Sequence, residues 1–240
     1  MIVDNTQAFF SKPVDGIDTF YSCRKFFGVP DGAYLYTKTE FDAEIEQDCS
    51  YSRLDSLTKR IDISPKEGYG DFKALSNHLA HNPIKKMSRL TQRMMHGIGY
   101  GPVAKQRMQN YYRLHQALSE SNNLNIPLPE DAVPMIYPYM QVSDGTREYL
   151  ISKNVFVARY WPNVLQWADR DSDDYYLTLN ILPLPIDQRY GQEEMDYIIN
   201  LIIHYNMISK GTNINTSPRL SGGVNLVVVS FVSIGLQLKN

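Results

Sequence analysis

Short apolar runs broken by turn residues open the chain: Met1-Ile2-Val3 before Asp4, Phe20-Tyr21 before Ser22, and Ala33-Tyr34-Leu35-Tyr36 after Gly28-Val29-Pro30-Asp31-Gly32. Runs of this length, bounded by Pro, Gly and Asp, predict strand–turn–strand structure, with Pro13-Val14-Asp15-Gly16 as a further turn. From Glu40 to Gly70 the chain is polar and rich in Asp and Ser, which predicts a solvated loop with some helix. The period then changes, and residues 71 to 120 are helical in pattern. Leu75, His78 and Leu79 share one face, and Pro83 lies near the start of a second helix carrying Met87, Leu90, Met94 and Met95. A third helix begins after Gly101-Pro102, where proline suits the first turn, and turns Val103, Met108, Leu114 and Leu118 inward. The methionine stripe reads as core packing, and His96 and His115 as structural or exposed residues.

Polar Ser119 to Asn125, followed by prolines 127, 129 and 134, marks a boundary. Beyond it the pattern predicts a strand (Pro134 to Val142), a helix capped by Ser143 or Asp144, a strand (Asn154 to Arg159) and a helix (Ser172 to Leu179). The proline-rich Leu182 to Ile186 and an amphipathic helix from Gln192 to Asn206 complete this part. Strands alternating with helices predict an α/β or α+β domain. Gly211 to Gly223 reads as a loop. The apolar stretch Val224 to Leu238 is shorter than the roughly 20 residues a spanning helix needs, and Asn225, Ser230, Ser233 and Gln237 interrupt it. It predicts a strand or a poorly folded tail.

Composition narrows the class. With 240 residues, 43% of them hydrophobic and 21% charged, the chain can form one large or two small domains around a sizeable core. A formal charge of −2 gives no basic excess for nucleic acid. Cys23 and Cys49 lack metal-ligand spacing and are too few for a disulfide framework, so neither a metal nor an oxidising compartment is expected. The N-terminus shows no signal-peptide pattern, and a cytoplasmic location is the simplest expectation.

The candidate chemistry lies near the start. Asp4 would cap a buried strand and Lys25 follows the second apolar stretch; ligand sites on open α/β sheets lie at such strand ends. Taken singly, these residues have an ordinary reading as well: an Asp at a strand end is commonly a cap or turn residue, and a Lys beside Arg24 is commonly solvated. Spacing alone leaves both open.

Longer segments bear on that choice. Val3-Asp4-Asn5-Thr6-Gln7-Ala8-Phe9 resembles the segment that holds the pyridine nitrogen in fold-type-I aminotransferases dependent on pyridoxal 5'-phosphate (PLP). Ser22-Cys23-Arg24-Lys25-Phe26-Phe27-Gly28-Val29-Pro30-Asp31-Gly32-Ala33 resembles their Schiff-base lysine segment and the glycine-bearing strand after it. Val155-Phe156-Val157 with Tyr160-Trp161-Pro162 looks like the small-domain strand of the DegT-type sugar-nucleotide aminotransferases, and Leu182-Pro183-Leu184-Pro185-Ile186-Asp187-Gln188-Arg189-Tyr190 is similar to their late LP-x-x-x-RY element. Ser56 and Lys59 repeat the S-x-x-K spacing of Ser22 and Lys25, but only Lys25 stands ahead of a glycine-bearing strand.

The resemblance implies an α/β fold: part of a PLP-dependent transferase-like large domain with connecting helices over residues 1–120, a small α/β C-terminal domain over 121–206, and a tail over 207–240. Relatives carry most of their large domain ahead of the aspartate, including the turn that takes the cofactor phosphate and an aromatic against the ring. The resemblance is therefore to the C-terminal portion, and a sheet cut this way would expose apolar edges. It implies PLP held on Lys25, Asp4 on the pyridine nitrogen and Gln7 against the ring. Ser22 matches a phosphate-binding serine of S-x-x-K aminotransferases, although in the sugar aminotransferases the serine falls further upstream. Where relatives have two consecutive glycines this chain has Gly32-Ala33. Arg189 is a candidate contact for a substrate anion, with a salt bridge to Asp187 or Glu193 as the alternative. The implied reaction moves an amino group from glutamate to a keto-sugar nucleotide for polysaccharide or lipopolysaccharide synthesis, in a homodimer with a shared active site. A truncated, inactive remnant or an aminotransferase-like binding subunit is the competing class.

Overall fold

The computed structural model describes residues 1–40, 44–124, 126–140 and 145–212, with side chains described as far as Ser209. These fall into two compact units that divide between Tyr100 and Gly101. Among the described residues no helix is long and apolar enough to cross a membrane.

The first unit is built on three strands in sequence order, β1 (Ile2–Asp4), β2 (Asp18–Ser22) and β3 (Ala33–Tyr36). β1 runs parallel to β2, with Asp4 opposite Phe20, and β2 runs antiparallel to β3, with Ser22 opposite Ala33. The predicted strand–turn–strand opening is therefore present. A parallel pair needs a crossover; here residues 5–17 supply it as successive turns, with Gly16 at φ +72°. Between β2 and β3 the chain forms a single 3₁₀ turn, Cys23–Lys25, and the Cys23 N–H donates to the Gly32 carbonyl at 3.1 Å.

Aromatic rings fill the space beside this sheet. Phe9 packs edge-on to Phe27 with centroids 4.8 Å apart and stacks on Tyr100 at 6.0 Å, while Phe10 and Phe26 close the cluster at 5.8 Å. Among the described residues the sheet edges carry exposed apolar side chains: β3 is exposed along its length, and Ile2 on β1 is 66% exposed.

The rest of the unit is helical: α1 (Asp55–Asp62), α2 (Tyr69–His81) and α3 (Arg89–His96). α3 starts later than Pro83 suggests because Ser88 caps it, its Oγ accepting the Thr91 N–H at 3.1 Å. Of the methionine stripe only Met95 is fully buried, and α2 buries no residue completely, so Leu75 and Leu79 are half-covered and His78 is exposed.

The second unit contains α4 (Tyr100–Leu118), β4 (Ile136–Met140), α5 (Thr146–Ser152), α6 (Val164–Trp167), α7 (Asp173–Asn180), β5 (Ile181–Pro185) and α8 (Gln192–Thr212), apart from Tyr100 itself. β4 and β5 are antiparallel, with Pro138 opposite Pro183; a two-stranded sheet has only edge strands, which tolerate proline. Sequence pattern puts a boundary near residue 120, yet the units divide twenty residues earlier, because α4 delivers Tyr111, Leu114 and Leu118 to the core formed with β4, β5 and α8. Ser172 caps α7 as its sequence suggests. Ser143 and Asp144 lie outside the described residues, as do 213–240.

Two polar residues on α4 are as buried as its leucines. Arg107, 1% exposed, donates from Nε to Gln188 Oε1 at 2.9 Å and from its guanidinium to the Met135 carbonyl at 3.1 Å. Asn110, 2% exposed, donates to the Tyr190 carbonyl at 3.0 Å and to that of Asp187 at 3.2 Å. The strand expected over Asn154 to Arg159 does not form. Val155 and Val157 are buried with Phe156 exposed between them, the alternation of a strand, but Arg147 donates to the carbonyls of Val157 and Ala158 where a neighbouring strand would.

Two substitutions test this packing. Gly32 has φ +104°, and a Cβ there would lie 2.9 Å from Thr91 Cγ2. Gly32→Ala is expected to cost about 1–3 kcal/mol, read as a lower urea midpoint. Asn110→Ala leaves buried carbonyls without this donor and is expected to cost about 1–3 kcal/mol, whereas Asn77→Ala, at an exposed position of α2, should move the midpoint far less.

Candidate functional site

Asp4 is buried at the end of β1, 8% exposed. Its Oδ1 accepts the Thr6 N–H at 2.8 Å, an Asx turn that fixes the carboxylate as the chain leaves the strand. Its Oδ2 is buried and has no hydrogen-bond partner among the described residues. A buried carboxylate oxygen without a donor is unfavourable, and such an atom in a folded protein calls for an explanation. A ligand N–H would supply one.

Parallel pairing brings β2 alongside, and Lys25 follows it on the 3₁₀ turn. Its amine makes no hydrogen bond or ion pair among the described residues, and the residue is exposed. Partial burial lowers the pKa of its ammonium; Asp4 acts the other way and Arg24 adds to the lowering. The structure therefore places Asp4 and Lys25, distant in sequence, within electrostatic reach of each other. Ser22, paired through its backbone with Ala33, and Gln7, half-buried in the crossover, have no side-chain hydrogen bond among the described residues. Asp4, Gln7, Ser22 and Lys25 all belong to the β1–β2 end of the first unit.

Arg189 is in the second unit and is engaged within the chain. Its Nε and Nη2 donate to Asp187 Oδ1 and Oδ2, each at 2.8 Å, and its guanidinium lies 5.5 Å from the Tyr190 ring centroid. Burial pushes the Asp187 carboxyl up, but the hydrogen bonds and charge of Arg189 outweigh it and hold the group below the usual carboxylate range. This is the salt-bridge alternative for Arg189. The LP-x-x-x-RY element thus also works structurally, its Tyr190 carbonyl accepting from Gln106 and Asn110.

Sequence reading missed the group that steadies the crossover. Tyr21, 3% exposed, donates from its hydroxyl to the Ser11 carbonyl at 2.8 Å and accepts from Asn5 Nδ2 at 3.3 Å. A tyrosine among strand residues gives no signal of that role. Cys23, beside the candidate lysine, is fully buried, and its thiol is pushed up to about 12 by burial and by the charge of Asp31.

No protein-family model and no curated protein matches the sequence. Solved structures do. The chain is similar to Spr1654 of Streptococcus pneumoniae, described as a candidate sugar aminotransferase: 14% identity and TM-score 0.52 to the PMP form and 14% and 0.51 to the apo form, each over 88% of this chain and 59% of the other. A DegT DnrJ EryC1 StrS aminotransferase from Brucella abortus matches more distantly, at 15% identity and TM-score 0.46 over 85% of this chain and 56% of that one. This is the fold of the sugar aminotransferases. The chain spans a little under three fifths of the length of the structures it matches.

Burial separates the two cysteines, since Cys49 is exposed. In the folded protein at pH 8 a disulfide reagent is expected to titrate one thiol, assigned to Cys49 by peptide mapping, and two in denaturant. Rapid modification of Cys23 in the folded chain would contradict the packing around the 3₁₀ turn.

Proposed function

We propose that this chain forms part of a PLP-dependent aminotransferase acting on a keto-sugar nucleotide, with glutamate as the amino donor. The observation that carries the reading is the buried Oδ2 of Asp4 at a strand end, without a partner among the described residues and within electrostatic reach of an amine that has none among them either. These residues fit the cofactor. Asp4 would accept the hydrogen bond of the pyridine nitrogen, Lys25 would take the aldehyde, Gln7 would lie against the ring and Ser22 would meet the phosphate. When bound, PLP supplies an electron-withdrawing ring that lets an amino group pass between substrates.

Asp4 is suited to its part because Thr6 fixes one oxygen and leaves the other free to accept. Lys25 has to be neutral to act as a nucleophile or to take up a proton, and the downward shift of its pKa enlarges that fraction near neutral pH. Arg189 is the candidate contact for a substrate carboxylate or phosphate, reached by exchanging Asp187 for the ligand. A homodimer with a shared active site, a cytoplasmic location and a role in polysaccharide or lipopolysaccharide synthesis belong to the same proposal, supported by likeness of fold to sugar aminotransferases.

Incubation with PLP tests it. A visible absorption band that borohydride removes is expected, with the pyridoxyl mass on the Lys25 peptide after digestion. Asp4→Ala is expected to weaken PLP binding at least tenfold, about 1.4 kcal/mol, while the exposed Lys12→Gln leaves it unchanged. Label on Lys12, Lys38 or Lys59 in place of Lys25 would refute the assignment.

A further inference from the structure

The turn that bears Lys25 is tied to the rest of the first unit through Gly32. The Cys23 N–H donates to the Gly32 carbonyl at 3.1 Å, and the Cys23 carbonyl accepts the N–H groups of Phe26 at 3.2 Å and Phe27 at 3.0 Å, which closes the backbone around Lys25. Gly32 packs against the start of α3: a Cβ on it would lie 2.9 Å from Thr91 Cγ2 and 3.1 Å from Met87 Cε. Ser88 stands between those two residues in the chain. Its hydroxyl donates to Oδ1 of Asp31, the residue before Gly32, at 3.2 Å, and accepts the Thr91 N–H at 3.1 Å. A serine hydroxyl has one proton to give, so the 2.6 Å contact between Ser50 Oγ and Ser88 Oγ is a donation from Ser50. Ser50, Ser88 and Asp31 are all buried. The chain of donors from Ser50 through Ser88 to Asp31 therefore runs through the interior, where each bond is strong and a lost one is costly.

We propose that Asp31 and Ser88 are positioning residues that hold the 3₁₀ turn in the form that presents Lys25. Among the described residues the Ser88 hydroxyl is the one hydrogen-bond donor to the Asp31 carboxylate. Arg53 comes no nearer to Asp31 Oδ2 than 3.7 Å, while its Nη1 and Nη2 donate to Asp48 at 2.7 Å each. Gly32, at φ +104°, has more backbone freedom than any other residue type, so its carbonyl stays aimed at Cys23 only while its neighbours are fixed. Ser88 thus has two duties: it caps α3 and it anchors the residue that sets Gly32. The proposal rests on the reading of Lys25 as the cofactor lysine, but the anchoring is a property of the chain without cofactor.

Two variants of the full chain separate the anchor from the cap. Asp31→Ala removes the anchor and leaves Ser88 capping α3; Ser88→Ala removes both and carries the test if Asp31→Ala does not fold. Hydrogen exchange of the Cys23 amide reads its bond to Gly32 directly. It is expected to be about tenfold faster or more in each variant, with the α3 amides of Asp31→Ala unchanged. After treatment with PLP and then borohydride, pyridoxyl label on Lys25 is expected to fall about tenfold relative to exposed Lys12. Ser172→Ala, which removes a serine cap from α7 in the second unit, should change neither readout. Unchanged Cys23 exchange in a folded variant overturns the proposal. So does an acceleration that α3 shares in Asp31→Ala, or one that leaves the ratio of Lys25 to Lys12 label as it was. The unsubstituted chain is scored separately: a lack of selective Lys25 label there removes the cofactor reading, and Cys23 exchange alone then decides whether Asp31 and Ser88 hold the turn.

Discussion

Parallel pairing of β1 with β2 is the constraint on which the candidate site depends. It sets Asp4 opposite Phe20, so the end of one strand lies beside the end of the next, where the 3₁₀ turn presents Lys25. A slip by one residue would turn Asp4 to the other face and separate the carboxylate from the amine. What resists the slip lies in the crossover: Thr6 holds Asp4, and the Tyr21 hydroxyl ties Asn5 and Ser11 to β2. The ring cluster around Phe9 supplies apolar burial behind this small sheet.

The second unit solves a different problem. Among the described residues it has two paired strands and much irregular chain, and several of its carbonyls accept from side chains. Arg107, Asn110 and Arg147 supply these donors. Guanidinium suits this work, since a planar group with five N–H donors can serve several carbonyls at once. Burial lowers the pKa of Arg107 to about 10, so it remains charged at neutral pH, and its neighbours must satisfy it in return. Removing any one member leaves buried polar groups unpaired.

The two halves of the candidate chemistry differ in how committed their residues are. Among the described residues the side chains of Asp4, Gln7, Ser22 and Lys25 have unused hydrogen-bonding capacity, and the apolar edges of β1 and β3 are exposed. Arg189 already has a full bidentate partner. An anion reaching Arg189 must compete with Asp187, whereas a donor reaching Asp4 Oδ2 relieves an unfavourable state. Cofactor binding is accordingly the better supported half of the proposal.

Local pattern by itself determined much of the element order. Apolar runs bounded by Gly, Pro and Asp gave the opening strands, Ser172 marked the start of α7, and the three-to-four period marked the helices of residues 69–118. The segments around Asp4 and Lys25 were legible as a resemblance carried by contiguous residues. Tertiary structure decided what depends on distant partners. The Arg147 guanidinium turned an alternating valine segment into irregular chain, packing moved the boundary ahead of α4, and Arg107 and Asn110 became core residues because carbonyls far along the chain converge on them. No local pattern contains those carbonyls. The same holds for Asp31, which in sequence is a turn residue before a glycine and in the fold is a carboxylate held by a helix cap 57 residues away.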